Sequence, residues 1–227
     1  MAIDDFHPYL ADFLGDDGRT AALLLDFDGT LAPLVAQPEQ ATLPQPTKEI
    51  LHRLSQLPNV FLAVISGRAV EDVRERVGLP GITYAGNHGL DIVYPDKHQV
   101  GQYRHQCECI IESAIYLAYD SFQFSPSLPD DVMERSQALA KRIEAECCRD
   151  GASLENKGVI LAYHYRNVEE QKRDQLVCLV KQLIKSAGFR VGFAKCAVES
   201  RPQLNWGKGR AAFHILNTHF GQDWTDR

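Results

Sequence analysis

The run Ala21-Ala22-Leu23-Leu24-Leu25, followed at once by Asp26-Phe27-Asp28-Gly29-Thr30, constrains the fold more than any other feature of the chain. A short unbroken apolar run closed by a glycine turn fits a strand buried on both faces of a parallel sheet. Parallel strands need crossover connections, usually helical, so such a strand calls for alternating strands and helices. The next segments follow that pattern. Pro33, Pro38, Pro44 and Pro46 mark a loop, and a helix is expected near 47–56, with Thr47 as N-cap and Ile50, Leu51 and Leu54 facing inward. Val60–Ile65 reads as a second buried strand, Val70, Val73 and Val77 as one face of a second helix, and Ile82–Ala85 as a third strand. Before the first strand, Phe6, Leu10, Phe13 and Leu14 recur at helical spacing over residues 5–14.

The middle of the chain breaks the alternation. Helices are expected at 103–121, 130–148 and 168–187, a hairpin over 151–166 turning at Asn156 to Gly158, and strands at Arg190–Ala194 and Cys196–Glu199. A last helix follows at 208–219. The expected architecture is α/β: a Rossmann-like core with a parallel sheet, residues 1–95 and 200–227, carrying an inserted α+β cap, residues 96–199.

Bulk properties narrow the class. The 227 residues are 44% hydrophobic and 24% charged, ordinary for a globular protein with a real core. The net charge is −6 and no long basic run occurs, which argues against a nucleic-acid partner and asks any anionic ligand to find a local positive site. No apolar run spans a membrane, and the acidic start Met1-Ala2-Ile3-Asp4-Asp5 lacks a signal-peptide pattern. Cys107, Cys109, Cys147, Cys148, Cys178 and Cys196 form no paired CxxC set, so they are expected as small buried apolar residues, reduced in the cytoplasm.

The chemistry sits at strand ends. Asp26 and Asp28 are two apart at the close of an apolar strand, where ligands bind in open α/β sheets. Two converging carboxylates repel, and Mg²⁺ is a natural offset because it prefers oxygen ligands. A carboxylate there can attack phosphorus and form an aspartyl-phosphate, while the second Asp protonates the leaving alcohol and then deprotonates water. The bland reading of Asp-x-Asp-Gly is a solvated turn or a helix cap. Ser66 in Ser66-Gly67-Arg68 ends the second strand before a helix N-terminus, a place that favours phosphate, although Ser-Gly is also a common turn. Lys208 opens the last helix, where its charge opposes the helix dipole; a phosphate partner would explain it, and a solvated lysine is the plain alternative.

Together these residues resemble the haloacid dehalogenase superfamily and, more narrowly, the trehalose-6-phosphate phosphatase family. The narrower match rests on Leu25–Pro33, Ile65–Arg68, Gly86-Asn87-His88-Gly89-Leu90, Glu155–Gly158 with His164-Tyr165-Arg166, and Glu199–Pro202 followed by Asn205–Gly209, in family order over almost the whole chain. The resemblance implies Asp26 as nucleophile and Mg²⁺ ligand, and Asp28 as general acid/base that also gives the metal its backbone carbonyl. It implies Ser66 and Lys208 as phosphoryl holders and Arg68, Asn87 and His88 as the core side of the sugar site. Glu155, Lys157, Glu199 and Arg201 would bind sugar hydroxyls. The bland readings are a solvated hairpin tip for Glu155 and Lys157, packing for at least one of His164 and Tyr165, and a surface charge for Arg166.

The implied substrate is trehalose 6-phosphate, and the implied partner beyond it is a trehalose-phosphate synthase domain. One departure is visible. Family members carry a further acidic block that completes the metal site, whereas this sequence ends at Phe220–Arg227, where the strand leading to that block should begin. The chain is therefore expected to be a fragment, a truncated product or a piece that borrows a strand, with an unpaired edge on the strand bearing Asp26. Two alternatives stay open: a catalytically impaired, regulatory relative that binds sugar phosphate or a synthase, and a phosphatase for another sugar phosphate.

Overall fold

The computed structural model describes residues 20–35, 37–95, 123–194 and 196–224. The helices expected at 5–14 and 103–121, with Cys107 and Cys109, lie outside the described residues. The chain divides into two compact units. One takes in the described residues up to Ser125 and those from Trp206 onward; the other is Pro126–Asn205.

The first unit runs β1 (Ala21–Leu25), α1 (Gln45–Ser55), β2 (Val60–Ile65), α2 (Val70–Val77), β3 (Thr83–Gly86), β4 (Asp91–Val93) and β5 (Gln123–Phe124). After the second unit it closes with α5 (Lys208–Phe220). The sheet order is β1-β2-β3-β4-β5. The first three strands are parallel, with Leu25 opposite Val64 and Ile65 opposite Ala85, and β4 and β5 add antiparallel.

Strand β2 explains the layering, because it is buried at every position. Its alternate side chains serve two cores. Leu62 and Val64 pack with Leu51 of α1 and with Val70, Val73 and Val77 of α2. Phe61, Ala63 and Ile65 pack with Ala211 and Ile215 of α5. Burying each of the Val, Leu, Ile and Phe side chains among these contributes about 1.5–3 kcal/mol. Helices thus cover both sheet faces, as the continuous apolar strands foretold. Among the described residues β1 is an outer strand of this sheet, with Ala22–Leu25 only half buried.

Two details of α1 differ from the sequence reading. The helix begins at Gln45 with Pro44 as N-cap, so Thr47 lies inside the first turn. Pro46 fits there because first-turn N–H groups have no intrahelical acceptor. Ile50 is 56% exposed while its neighbour Leu51 is 3% exposed. Adjacent helical residues point about 100° apart, so both cannot centre on one buried stripe.

The second unit holds α3 (Val132–Cys147), β6 (Ser153–Asn156), β7 (Leu161–His164), α4 (Glu170–Ser186), β8 (Arg190–Ala194) and β9 (Ala197–Arg201). Its antiparallel sheet has the order β6-β7-β9-β8. Helix α3 packs on α4 and β6, and α4 on β8 and β9. The expected hairpin is β6 and β7, turning at Asn156–Gly158, where Asn156 Oδ1 accepts from the Gly158 N–H at 2.9 Å. Cys147 is buried as expected, but Cys178 is exposed on α4. Among the described residues no helix is long and apolar enough to cross a membrane.

Candidate active site

The site lies where β1 and β2 end. Beyond Leu25, the Phe27 carbonyl accepts the N–H groups of Thr30, Leu31 and Ala32 at 3.4, 3.0 and 2.9 Å. This tight turn is anchored by the fully buried Phe27 ring. It leaves Asp26 and Asp28 beside the carboxyl end of the sheet with side chains 43% and 37% exposed.

Each carboxylate has its own cation. Lys208, in the first turn of α5, donates from Nζ to Asp26 Oδ1 at 2.7 Å. The same oxygen accepts the Phe27 N–H at 2.8 Å. Arg68 grips Asp28 through both oxygens and also bonds Asp72 Oδ2 at 2.9 Å and the Pro38 carbonyl at 2.8 Å. Burial works against the Arg68 charge, but the bonds and charges of Asp28 and Asp72 outweigh it and raise its pKa above the ordinary value. The charge beside Asp28 is thus a guanidinium as well as a neighbouring carboxylate. Sequence spacing showed the first pairing partner of neither Asp, since Asp26–Lys208 and Asp28–Arg68 are 182 and 40 residues apart.

Ser66 is fully buried, and its Oγ accepts the Arg68 N–H at 3.1 Å. Its backbone is tied on both sides, N–H to the Ala85 carbonyl at 2.8 Å and carbonyl to the His88 N–H at 2.9 Å. Asn87 and His88 are held at φ 51° and 58°. This left-handed backbone costs an ordinary residue about 1–3 kcal/mol and concentrates at functional sites. It turns the Asn87 N–H onto the Arg68 carbonyl at 2.7 Å, locking the β3–β4 turn to the β2–α2 turn. The His88 ring lies over Gly67, where an added Cβ would stand 2.8 Å from His88 Cε1. Asn87 Nδ2 donates to Asp91 Oδ2 at 2.7 Å; burial nevertheless dominates and raises the Asp91 pKa. Trp206 anchors the approach to Lys208 by donating from Nε1 to the Gly89 carbonyl at 2.6 Å.

The structure therefore brings together six of the expected residues: Asp26, Asp28, Ser66, Arg68, His88 and Lys208, with Asn87 locked behind them. Asp72 belongs to this cluster and was missed from sequence. Its only signal was the helical i, i+4 spacing from Arg68, with Arg76 four further on, both of which it pairs with. The remaining expected residues, Glu155, Lys157, Glu199 and Arg201, belong to the second unit. There Glu155 pairs with Lys157 and His164, and Glu199 pairs with Arg201.

Could these residues hold a metal? Asp26 Oδ2 and the Asp28 main-chain oxygen take no part in the bonds above, and both are hard oxygen donors. Mg²⁺ is commonly bound by one or two carboxylates, with waters and substrate phosphate completing its shell, so the pair fits. Among the described residues no group of three or more His, Cys, Asp or Glu adds to it.

A family model described as trehalose-phosphatase matches residues 24–226. A trehalose-phosphate phosphatase of Mycobacterium marinum is 34% identical over 205 residues, which is 88% of this chain and 46% of that protein. A protein of Mycobacterium tuberculosis described as an uncharacterized glycosyl hydrolase is 37% identical over 195 residues, 86% of this chain but 13% of its own length. The chain thus spans less than half of these curated relatives. Among solved structures, the C-terminal domain of a trehalose-6-phosphate phosphatase from C. albicans has the same fold, with TM-score 0.68, 21% identity, and 93% of this chain and 66% of that one covered.

Proposed function

This chain belongs to the trehalose-phosphatase family, and on that premise we propose that it hydrolyses trehalose 6-phosphate through an aspartyl-phosphate on Asp26. The observation that carries the reading is Lys208 Nζ, 2.7 Å from Asp26 Oδ1 at the carboxyl end of β1. A lysine on a nucleophilic carboxylate orients it and offers positive charge to the phosphoryl oxygens.

The steps follow from the groups present. Asp26 attacks phosphorus, the ester P–O bond breaks, and protonated Asp28 gives its proton to the departing sugar oxygen. Asp28 then takes a proton from water, which attacks phosphorus; the bond to Asp26 breaks and phosphate leaves. In the described arrangement both Asp28 oxygens accept from Arg68, which is the geometry of the base form. To act as acid, Asp28 must give up part of that grip, and Asp72 remains to hold Arg68. Ser66 would hold the phosphoryl group after its turn adjusts, since it starts fully buried. Asp26 Oδ2 and the Asp28 main-chain oxygen would hold Mg²⁺, which supplies charge neutralisation to the transferring phosphoryl group. Glu155, Lys157, Glu199 and Arg201 would recognise sugar hydroxyls, and Asn87 and His88 would shape the core contribution. Arg68, with Asp28, Asp72 and Pro38 as partners, is better read as support for Asp28 than as a sugar contact.

The test is phosphate release from trehalose 6-phosphate with Mg²⁺, against Asp26→Asn. Release by the native chain and its loss in the variant are expected; equal release by both would remove Asp26 as nucleophile. A second reading, sugar-phosphate binding without turnover, draws support from the protein cations that already pair with both carboxylates. Calorimetric binding with no release by the native chain would establish it. A panel of other sugar phosphates in the same assay fixes the substrate class.

A further inference from the structure

The second unit's sheet has two unlike faces. Tyr163 and Val198, each 0% exposed, sit opposite one another and serve the face covered by helices. One residue along, the register places Glu155 opposite Ala162, Ala162 opposite Glu199, and Glu199 opposite Gly192. Those side chains share the other face, because alternate residues point oppositely. His164 and Ala197, two residues further along, share it too.

On that face two carboxylates stand two strands apart, about 10 Å. Each has a side-chain partner on this sheet. Arg201 donates to Glu199 Oε2 from Nε at 2.9 Å, lying across Gly192, where an added Cβ would meet its Nε at 2.7 Å. For Glu155 the pinning group comes from the neighbouring strand. His164 Nε2 lies 3.0 Å from Glu155 Oε2, and Lys157 Nζ is 3.4 Å from the same atom. Ser153 is the residue opposite His164, so His164 reaches Glu155 along the diagonal of the ladder. Both contacts fall on Oε2 of this half-exposed side chain, and Oε1 takes no part in them.

We infer that His164 is a positioning residue: through Nε2–H it fixes Glu155 Oε2, so that Glu155 Oε1 is pre-aimed at a hydroxyl of the sugar. The inference rests on the proposed role of Glu155 as a sugar contact. A free glutamate would lose rotamer entropy on binding; a pinned one has already lost it. Burial raises the Glu155 pKa, but His164 and Lys157 outweigh it and lower the pKa, keeping the side chain an acceptor at neutral pH. A carboxylate acceptor makes a stronger bond to a hydroxyl than a neutral amide does.

The experiment is calorimetric titration of the full chain with trehalose 6-phosphate, trehalose and inorganic phosphate. The variants are His164→Ala, His164→Gln, Glu155→Gln and the double variant His164→Ala/Glu155→Gln. His164→Ala should weaken both sugar ligands by roughly 3- to 10-fold and leave inorganic phosphate unchanged. His164→Gln, whose amide can replace the Nε2–H donor, should restore most of the affinity. The double variant should bind no worse than Glu155→Gln, because the two residues act as one unit. Native-like sugar affinity in His164→Ala, or losses that add in the double variant, would overturn the inference while Glu155 stands. If Glu155→Gln costs nothing, or the native chain binds neither sugar, the underlying reading fails and the inference falls with it. Should His164→Ala not fold, as judged by circular dichroism, His164→Leu takes its place in the same cycle.

Discussion

Arg68 holds Asp28 in a two-bond fork, Nε to Oδ2 at 2.9 Å and Nη2 to Oδ1 at 2.7 Å, while its remaining arm reaches Asp72 on α2. The fork ties the end of β1 to the start of α2. It makes the orientation of Asp28 depend on a residue 40 positions away.

That dependence gives the first prediction. Lysine carries the charge of arginine but not its planar fork. Arg68→Lys should lower kcat about 10-fold or more with a smaller change in KM, because Asp28 acts in the chemical step. Arg68→Ala should also reduce stability by about 1–3 kcal/mol in urea unfolding. The Arg68 side chain is only 11% exposed and its loss strands the Asp28 carboxylate, while Asp72 keeps Arg76; the exposure of Asp28 moderates the cost.

Lys208→Met keeps the length of the side chain and removes its charge. Phosphate release from trehalose 6-phosphate should fall about 10²–10³-fold, the usual cost of losing one transition-state charge donor. The unfolding midpoint should move little, since Lys208 is 36% exposed and its ion pair is partly screened. Steady-state kinetics with parallel urea melts check both halves.

Stability should fall on mild acidification. The His219 ring packs on Phe61 at 4.1 Å, and burial pushes its pKa down to about 4; burial also lowers that of His214, stacked on Phe124 at 3.8 Å. A depressed histidine pKa means the unfolded chain binds more protons, so stability is intact above about pH 6.5 and is lost as pH falls toward 4. After allowance for partial exposure the loss from His219 is on the order of 1–2 kcal/mol. Urea melts between neutral pH and pH about 4 should show it, and His219→Phe should reduce the slope.

Tyr163 is fully buried and donates its hydroxyl to the Cys147 carbonyl at 2.9 Å. Burial drives its pKa up to about 12, so it stays a donor at any working pH. Tyr163→Phe should cost about 1–2 kcal/mol by orphaning that carbonyl. The signature in denaturant melts is a lower midpoint at unchanged slope.

The amino-acid sequence by itself determined the parallel-sheet unit and the ends of its strands. Continuous apolar runs at Ala21–Leu25 and Val60–Ile65 can be satisfied only between two helical layers, and the Val70, Val73, Val77 stripe supplies one of them. It also placed Asp26, Asp28, Ser66 and Lys208, because element boundaries are local and the punctuation by glycine and proline is strong. The fine placement of α1 was less legible. Pro46 could sit in its first turn, and Ile50 competed with Leu51 for a single inward direction. What tertiary structure alone decided is which charge faces which. Lys208 was expected to meet phosphate and Arg68 to meet sugar; only the fold shows that Lys208 also pairs with Asp26, and Arg68 with Asp28 and Asp72. The diagonal contact of His164 with Glu155 is of the same kind. Side chains are coded one position at a time, but an ion pair is set by two strand ends or two neighbouring strands meeting at a particular register, and that meeting exists only once the sheet has formed.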